Sequence, residues 1–123
     1  MGRMSSYGNP AIDYLDKTLD LNDLCIRRPA ATYLVRAEGD SMINAGIFDS
    51  DILIVDRSVK ALHNHIVIAS LNGDFLCKRL HLTGDTPQLI AENPAYNPII
   101  LSGESELEIF GVVTYVIHSL ASS

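Results

Sequence analysis

Asn72-Gly73 separates two strand-like runs, His65 to Leu71 and Asp74 to His81. Both central positions of a type I′ turn need positive φ, which Asn-Gly supplies, so the pair predicts a tight hairpin. That hairpin commits the middle of the chain to antiparallel pairing. The flanking sequence repeats the pattern at short intervals. Thr32 to Ala37, Ile52 to Asp56, Gln88 to Glu92 and Leu107 to His118 read as further strands between Gly, Asn and Pro punctuation. Gly111, inside the longest run, marks a bulge or bend. Asn93-Pro94-Ala95-Tyr96-Asn97-Pro98 reads as a loop, because its prolines cannot donate to a ladder. The last run is apolar at both parities, with Ile109, Val113 and Ile117 on one face and Phe110, Val112 and Val116 on the other. Both of its faces therefore need cover. The expected fold is mainly β, a barrel or sandwich of short, mostly antiparallel strands.

A short helix or arm precedes the strands. Ile12, Leu15 and Leu19 sit at helical spacing, whereas Leu19 and Leu21 alternate as in a strand. Asp20 can cap a short turn from Leu21 to Cys25, which Arg27-Arg28-Pro29 then ends. The expected organisation is an arm with a short helix over 1–30, a β domain over 31–119 and a tail over 120–123.

Charge excludes one large class of function. The 123 residues carry a formal net charge of −6 and only nine Lys and Arg, which are scattered. Direct phosphate-driven binding of nucleic acid needs clustered cations, so any role near DNA requires a partner to make the contact. Cys25 and Cys77 are too few for a disulfide scaffold and fit a reducing compartment. No apolar run reaches the roughly 18 residues that span a bilayer, and no secretory signal is visible. The expectation is a cytoplasmic protein with no membrane association.

The stretch from Glu38 to Gly46 carries the chemistry. Gly39 breaks the preceding strand, Ser41 and Met42 open a short helical turn, and Gly46 suits its C-cap. Such a turn leaves backbone N–H groups free at its start. Ser41 can simply cap the turn, or it can be a nucleophile beside donors for an oxyanion. A serine nucleophile needs a base. Lys78 and Arg79 lie in the run Phe75 to His81, and alternation places one of them inward without saying which. An inward lysine would be neutralised by burial and could then accept the serine proton. His63 and His65 form an H-x-H without further ligands nearby, so neither a metal nor any other cofactor is expected. His81 and His118 read as strand-end residues, Asp40 as a turn or cap residue, Met42 as a packing residue, and Tyr7 and Tyr96 as exposed aromatics. Glu104-Ser105-Glu106 reads as a solvated edge.

Gly39-Asp40-Ser41-Met42, Asp51-Ile52-Leu53-Ile54-Val55-Asp56 and Cys77-Lys78-Arg79-Leu80 together resemble the self-cleaving Ser/Lys peptidases of the LexA/UmuD type. Asn9-Pro10-Ala11, Tyr14, Pro29-Ala30-Ala31-Thr32-Tyr33 and Ile109-Phe110-Gly111-Val112-Val113 extend the likeness from about Asn9 to His118, within the UmuD branch. Ser50 is a departure, standing where relatives usually carry Gly. The resemblance implies a LexA C-terminal-domain-like fold, with Ser41 as nucleophile and Lys78, rather than Lys60 or Arg79, as base. It implies an oxyanion hole from the backbone of Ser41 and Asp40, and substrate contact by Met42. It further implies a homodimer that serves a UmuC-like Y-family polymerase subunit in error-prone translesion synthesis during the SOS response. A RecA filament would stimulate cleavage of the longer form. The alternative is the dimerisation and autocleavage domain of a LexA- or phage-repressor-like transcription factor. The family's cleavage register falls near Ser5-Ser6, where no Cys-Gly or Ala-Gly stands, so the expectation is a shortened, processed-like chain.

Overall fold

The computed structural model describes residues 20–101, 103 and 106–121. The competing patterns over Ile12, Leu15 and Leu19, the cleavage register, Tyr7 and most of the Glu104–Glu106 edge fall outside that range. Helix α1, Leu21–Cys25, begins at Asp20, whose side chain accepts the N–H of Asn22 at 2.9 Å, so the expected cap is present. A 3-10 turn, Pro29–Ala31, leads into the sheet. Seven strands follow: β1 Thr32–Arg36, β2 Ile52–Asp56, β3 Ile66–Leu71, β4 Asp74–His81, β5 Gln88–Ile90, β6 Ile99–Ile100 and β7 Leu107–Ile117. They form a single antiparallel sheet in the order β1-β2-β7-β3-β4-β5-β6. The mainly β reading of the sequence is borne out.

The β3–β4 hairpin turns at Asn72 (φ 51°) and Gly73 (φ 91°), the positive angles that the dipeptide is suited to supply. Its register pairs Val67 with Lys78 and Ile68 with Cys77. Alternation along β3 then divides the core between the two faces of the sheet. Ile68 packs with Ala37, Met42, Ile47, Leu53 and Val55 on one face. Val67 and Ala69 pack with Leu80, Leu89 and Val112 on the other.

The central strand β7 departs from simple alternation. Against β3 its register skips Phe110, and against β2 it skips Thr114. The first bulge puts Ile109 with Val112 on one cluster and Phe110 with Val113 on the other. Strict parity had grouped Ile109 with Val113 and Phe110 with Val112. Gly111 sits beside the first bulge, where a Cβ would meet Val55 Cγ1 at 2.7 Å and the Asp56 carbonyl oxygen at 3.2 Å. Backbone approach, as well as bending, requires glycine there. The two-residue strand β6 lies in a stretch that carries no alternation, and the sequence did not suggest it.

Two buried carboxylates fix the ends of β2. Asp56 accepts the side chain and backbone N–H of Ser58 at 2.6 and 2.8 Å and Arg28 Nη1 at 2.6 Å. These bonds tie the segment before β1 to the sheet. Asp51 accepts the N–H of Phe48 at 2.8 Å and pairs with His118 Nδ1 at 2.5 Å. Ionised, Asp51 can only accept, so Nδ1 carries the proton.

Candidate functional site

Between β1 and β2 the chain makes the tight excursion that the Glu38–Gly46 sequence foreshadows. Gly39 takes φ 80°, and its N–H donates to Asp49 Oδ1 at 2.8 Å. Gly46, at φ 81°, caps a 3-10 turn formed by Ile43–Ala45. The N-cap of that turn is Met42, with no side-chain cap bond. Ser41 therefore lies just ahead of the turn and its hydroxyl caps nothing, which removes the capping reading. Among the described residues, no hydrogen bond engages the N–H groups of Asp40, Ser41 or Met42. Met42 is 3% exposed and belongs to a core cluster, as expected of a packing residue.

Lys78 occupies β4 where that strand has β3 on one side only. Pairing with β5 begins at Arg79, so Asp74–Lys78 forms an open edge. A cavity of about 350 Å³ sits against this edge. Ser41 and Lys78 both line it, with Met42, Leu53, Ile68 and Cys77 among the other walls. Lys78 is 8% exposed and forms no ion pair among the described residues. Burial lowers its pKa from the ordinary lysine value, against a smaller opposing influence from Cys77. Burial pushes the Cys77 thiol up to about 11. That thiol is thus uncharged across the neutral range, and burial governs the lysine. Arg79 turns elsewhere: its Nε donates to Glu92 Oε1 at 2.5 Å and its Nη1 to the Asn64 carbonyl at 2.6 Å. The structure resolves which of the two cations faces the cavity.

The segment after β5 is stitched to the Ser41 turn. The Asn44 N–H donates to the Glu92 carbonyl at 2.9 Å, and the Glu92 N–H meets Met42 Sδ at 3.4 Å. Asn93 Nδ2 donates to the Asp40 carbonyl at 2.9 Å. Tyr96 Oη donates to Asp40 Oδ1 at 2.5 Å, while the Tyr96 ring centroid lies 5.0 Å from Lys78 Nζ. Asp40 is therefore a tether between segments as well as a turn residue. Sequence reasoning left Tyr96 as a single exposed aromatic. Only the two prolines around it marked the loop, and nothing local indicates what the loop touches.

The histidines take other roles. His63 Nδ1 accepts the N–H of Leu82 and His65 Nδ1 that of Leu62, at 3.0 and 3.1 Å. His63 stacks edge-on against His81 at 4.9 Å. No cluster of three or more potential metal ligands occurs among the described residues. Among the same residues, no helix is long and apolar enough to cross a membrane.

Comparison with known proteins agrees with this architecture. Residues 3–114 match the Peptidase S24-like family. The chain is 45% identical to the protein SamA of Salmonella typhimurium over 119 residues, covering 97% of this chain and 82% of that protein. It is 44% identical to ImpA of Escherichia coli over 120 residues, covering 93% and 77%. It is 39% identical to MucA of Escherichia coli over 117 residues, covering 94% and 77%. These relatives are of the UmuD-like kind that the sequence motifs indicated. The likeness to LexA repressor 2 of Pseudomonas syringae is partial, 45% over 80 residues and 40% of the repressor's length. With the family match running over residues 3–114 and relatives 39–45% identical over nearly its whole length, this chain belongs to the Peptidase S24-like family of self-cleaving serine peptidases.

Proposed function

We propose that Ser41 and Lys78 form a Ser/Lys dyad within a UmuD-like accessory protein of a mutagenesis system. The observation that supports the dyad most directly is a lysine 8% exposed, its pKa lowered by burial, lining the same cavity as Ser41. Neutral Lys78 Nζ accepts the hydroxyl proton as Ser41 Oγ attacks a peptide carbonyl carbon. The N–H groups of Ser41 and Asp40 stabilise the oxyanion, and Met42 contacts the substrate chain. The Lys78 ammonium returns its proton to the leaving amine, giving an acyl-serine ester and a neutral lysine. The same amine deprotonates the water that hydrolyses the ester. The open β4 edge beside the cavity offers unpaired backbone groups to an extended peptide.

The biological role follows the branch. UmuD-like relatives support mutagenesis as accessory proteins. We read this chain as an arm over 1–30, a β domain over 31–119 and a short tail, working as a homodimer with a UmuC-like polymerase subunit. A RecA filament would stimulate cleavage of a longer, arm-bearing form. The net charge of −6 suits a protein whose contact with DNA is made by its partner. A cytoplasmic setting fits the two free cysteines.

The test joins an arm containing a small residue followed by Gly ahead of this chain. Cleavage is then followed in the unsubstituted, Ser41→Ala and Lys78→Ala proteins. Loss of cleavage in both variants, with retained support of lesion bypass by the chain without the added arm, is the expected result. Cleavage that survives either substitution overturns the dyad.

A further inference from the structure

We propose that Tyr96 is a positioning residue of this site, whose phenol restrains the Asp40 carboxylate and so keeps it from forming an ion pair with Lys78. The inference rests on the Ser/Lys reading only in its consequence for cleavage. The geometry stands independently. Tyr96 Oη donates to Asp40 Oδ1 at 2.5 Å, and the same ring has Lys78 Nζ 5.0 Å from its centroid. These distances leave the carboxylate and the amine within about 10 Å, roughly one Debye length at 0.1 M salt. Yet the two are not paired.

Aspartate has a short side chain, and one rotamer change redirects its oxygens. An ion pair with Asp40 would favour the ammonium and disable the lysine as a base. The phenol opposes this by holding Oδ1, and with it the carboxylate, in the rotamer that faces Tyr96. Asn93 Nδ2 reinforces the restraint through the Asp40 carbonyl at 2.9 Å. Asp40 in turn favours the protonated phenol, raising the pKa of Tyr96 from its ordinary value, so the clamp stays closed as pH rises through neutrality. The ring itself attracts a cation weakly, a smaller effect than a carboxylate in contact.

The other groups around Lys78 do not substitute for Asp40. Cys77, on the same strand, holds its proton. Glu92, after β5, is engaged by Arg79 at 2.5 Å. Arg36 and Glu38 line the cavity from the end of β1 and the Ser41 turn, and carry opposite charges.

The experiment titrates the Lys78 side-chain nitrogen by NMR in the 123-residue chain, alongside the pH profile of cleavage in the arm-bearing form. Tyr96→Phe keeps the ring and removes only the hydroxyl. The Lys78 midpoint should move up by about one pH unit, and cleavage at neutral pH should fall about tenfold while its high-pH plateau is retained. Adding Asp40→Asn to Tyr96→Phe should return the midpoint to its original place. A purely structural role for Tyr96 would lower the rate at every pH and leave the midpoint unmoved. An unmoved midpoint in Tyr96→Phe, or an equal rise in the double variant, overturns the proposal. Because the titration needs no catalysis, failure of the dyad appears separately, as a Lys78 midpoint that responds while cleavage ignores Lys78.

Discussion

Lys78 costs the fold stability, because burial disfavours its charged form. Its folded pKa lies below the value of about 10.4 for a free lysine. The unfolded chain therefore binds more protons between the two values, and stability rises with pH across that window. Below the folded value, the protein must keep a charged amine in a nearly buried position. Lys78→Met, of similar length and without charge, should therefore raise the thermal midpoint by a few degrees at pH 7 while abolishing cleavage. Calorimetry checks the first outcome and gel analysis of the arm-bearing form the second. Cleavage by the unsubstituted protein should climb with pH as the amine loses its proton, and a profile flat from neutral to alkaline pH would contradict lysine as base. Ser50 is a second residue whose cost is visible. It holds φ 71°, a left-handed angle that glycine adopts without penalty. Ser50→Gly should stabilise the fold by about 0.5–1 kcal/mol in urea unfolding, with cleavage unchanged.

At the scale of elements, β7 is the strand that the others depend on. It pairs with both β2 and β3 and supplies residues to both core clusters. Its bulges at Phe110 and Thr114 shift its register against β3 and β2, and Gly111 lets it pass close to β2. Gly111→Ala places a methyl group 2.7 Å from Val55 Cγ1 with Asp56 backbone atoms behind it. Denaturant unfolding should show a loss of about 1–3 kcal/mol, the usual cost of overpacking. The β3–β4 hairpin matters differently. Its tight Asn72-Gly73 turn sets the register that puts Lys78 opposite Val67, and a one-residue slip would exchange the faces of Lys78 and Arg79.

Over the whole molecule, two buried acids connect the sheet to its ends and make it sensitive to acid. Hydrogen bonding from the Ser58 side chain is the largest influence on Asp56; burial opposes it, and Arg28 adds to it, leaving the pKa lowered. For Asp51, burial is the largest single influence and raises the pKa, but the Phe48 N–H and His118 together lower it further. Carboxyls depressed in this way contribute stability that is complete above their unfolded values of about 4 and is lost as pH falls through the folded values. Urea midpoints should therefore hold between pH 7 and 5 and fall steeply below pH 4. Asp56→Asn should flatten that fall and cost about 2 kcal/mol at pH 7, since Arg28 and Ser58 lose a charged acceptor.

Short-range patterns in the sequence were enough to read six of the seven strands, the Asn72-Gly73 turn, the Asp20 cap and the Gly39 and Gly46 breaks, because each depends on backbone preferences of a few adjacent residues. The pairing of Ser41 with Lys78 as candidates came from the resemblance of separated motifs to the Ser/Lys peptidase family, not from local pattern. Local pattern could not choose between Lys78 and Arg79, identify β6, count the bulges in β7 or find Tyr96. Each of these is fixed by contacts between residues distant in sequence: β5 leaves half of β4 unpaired, Glu92 draws Arg79 away, and Asp40 receives the phenol of a loop more than fifty positions later. Residues decide what a segment can form alone, but the depth of burial that lowers the pKa of one lysine exists only once the sheet and the Ser41 turn have packed around it.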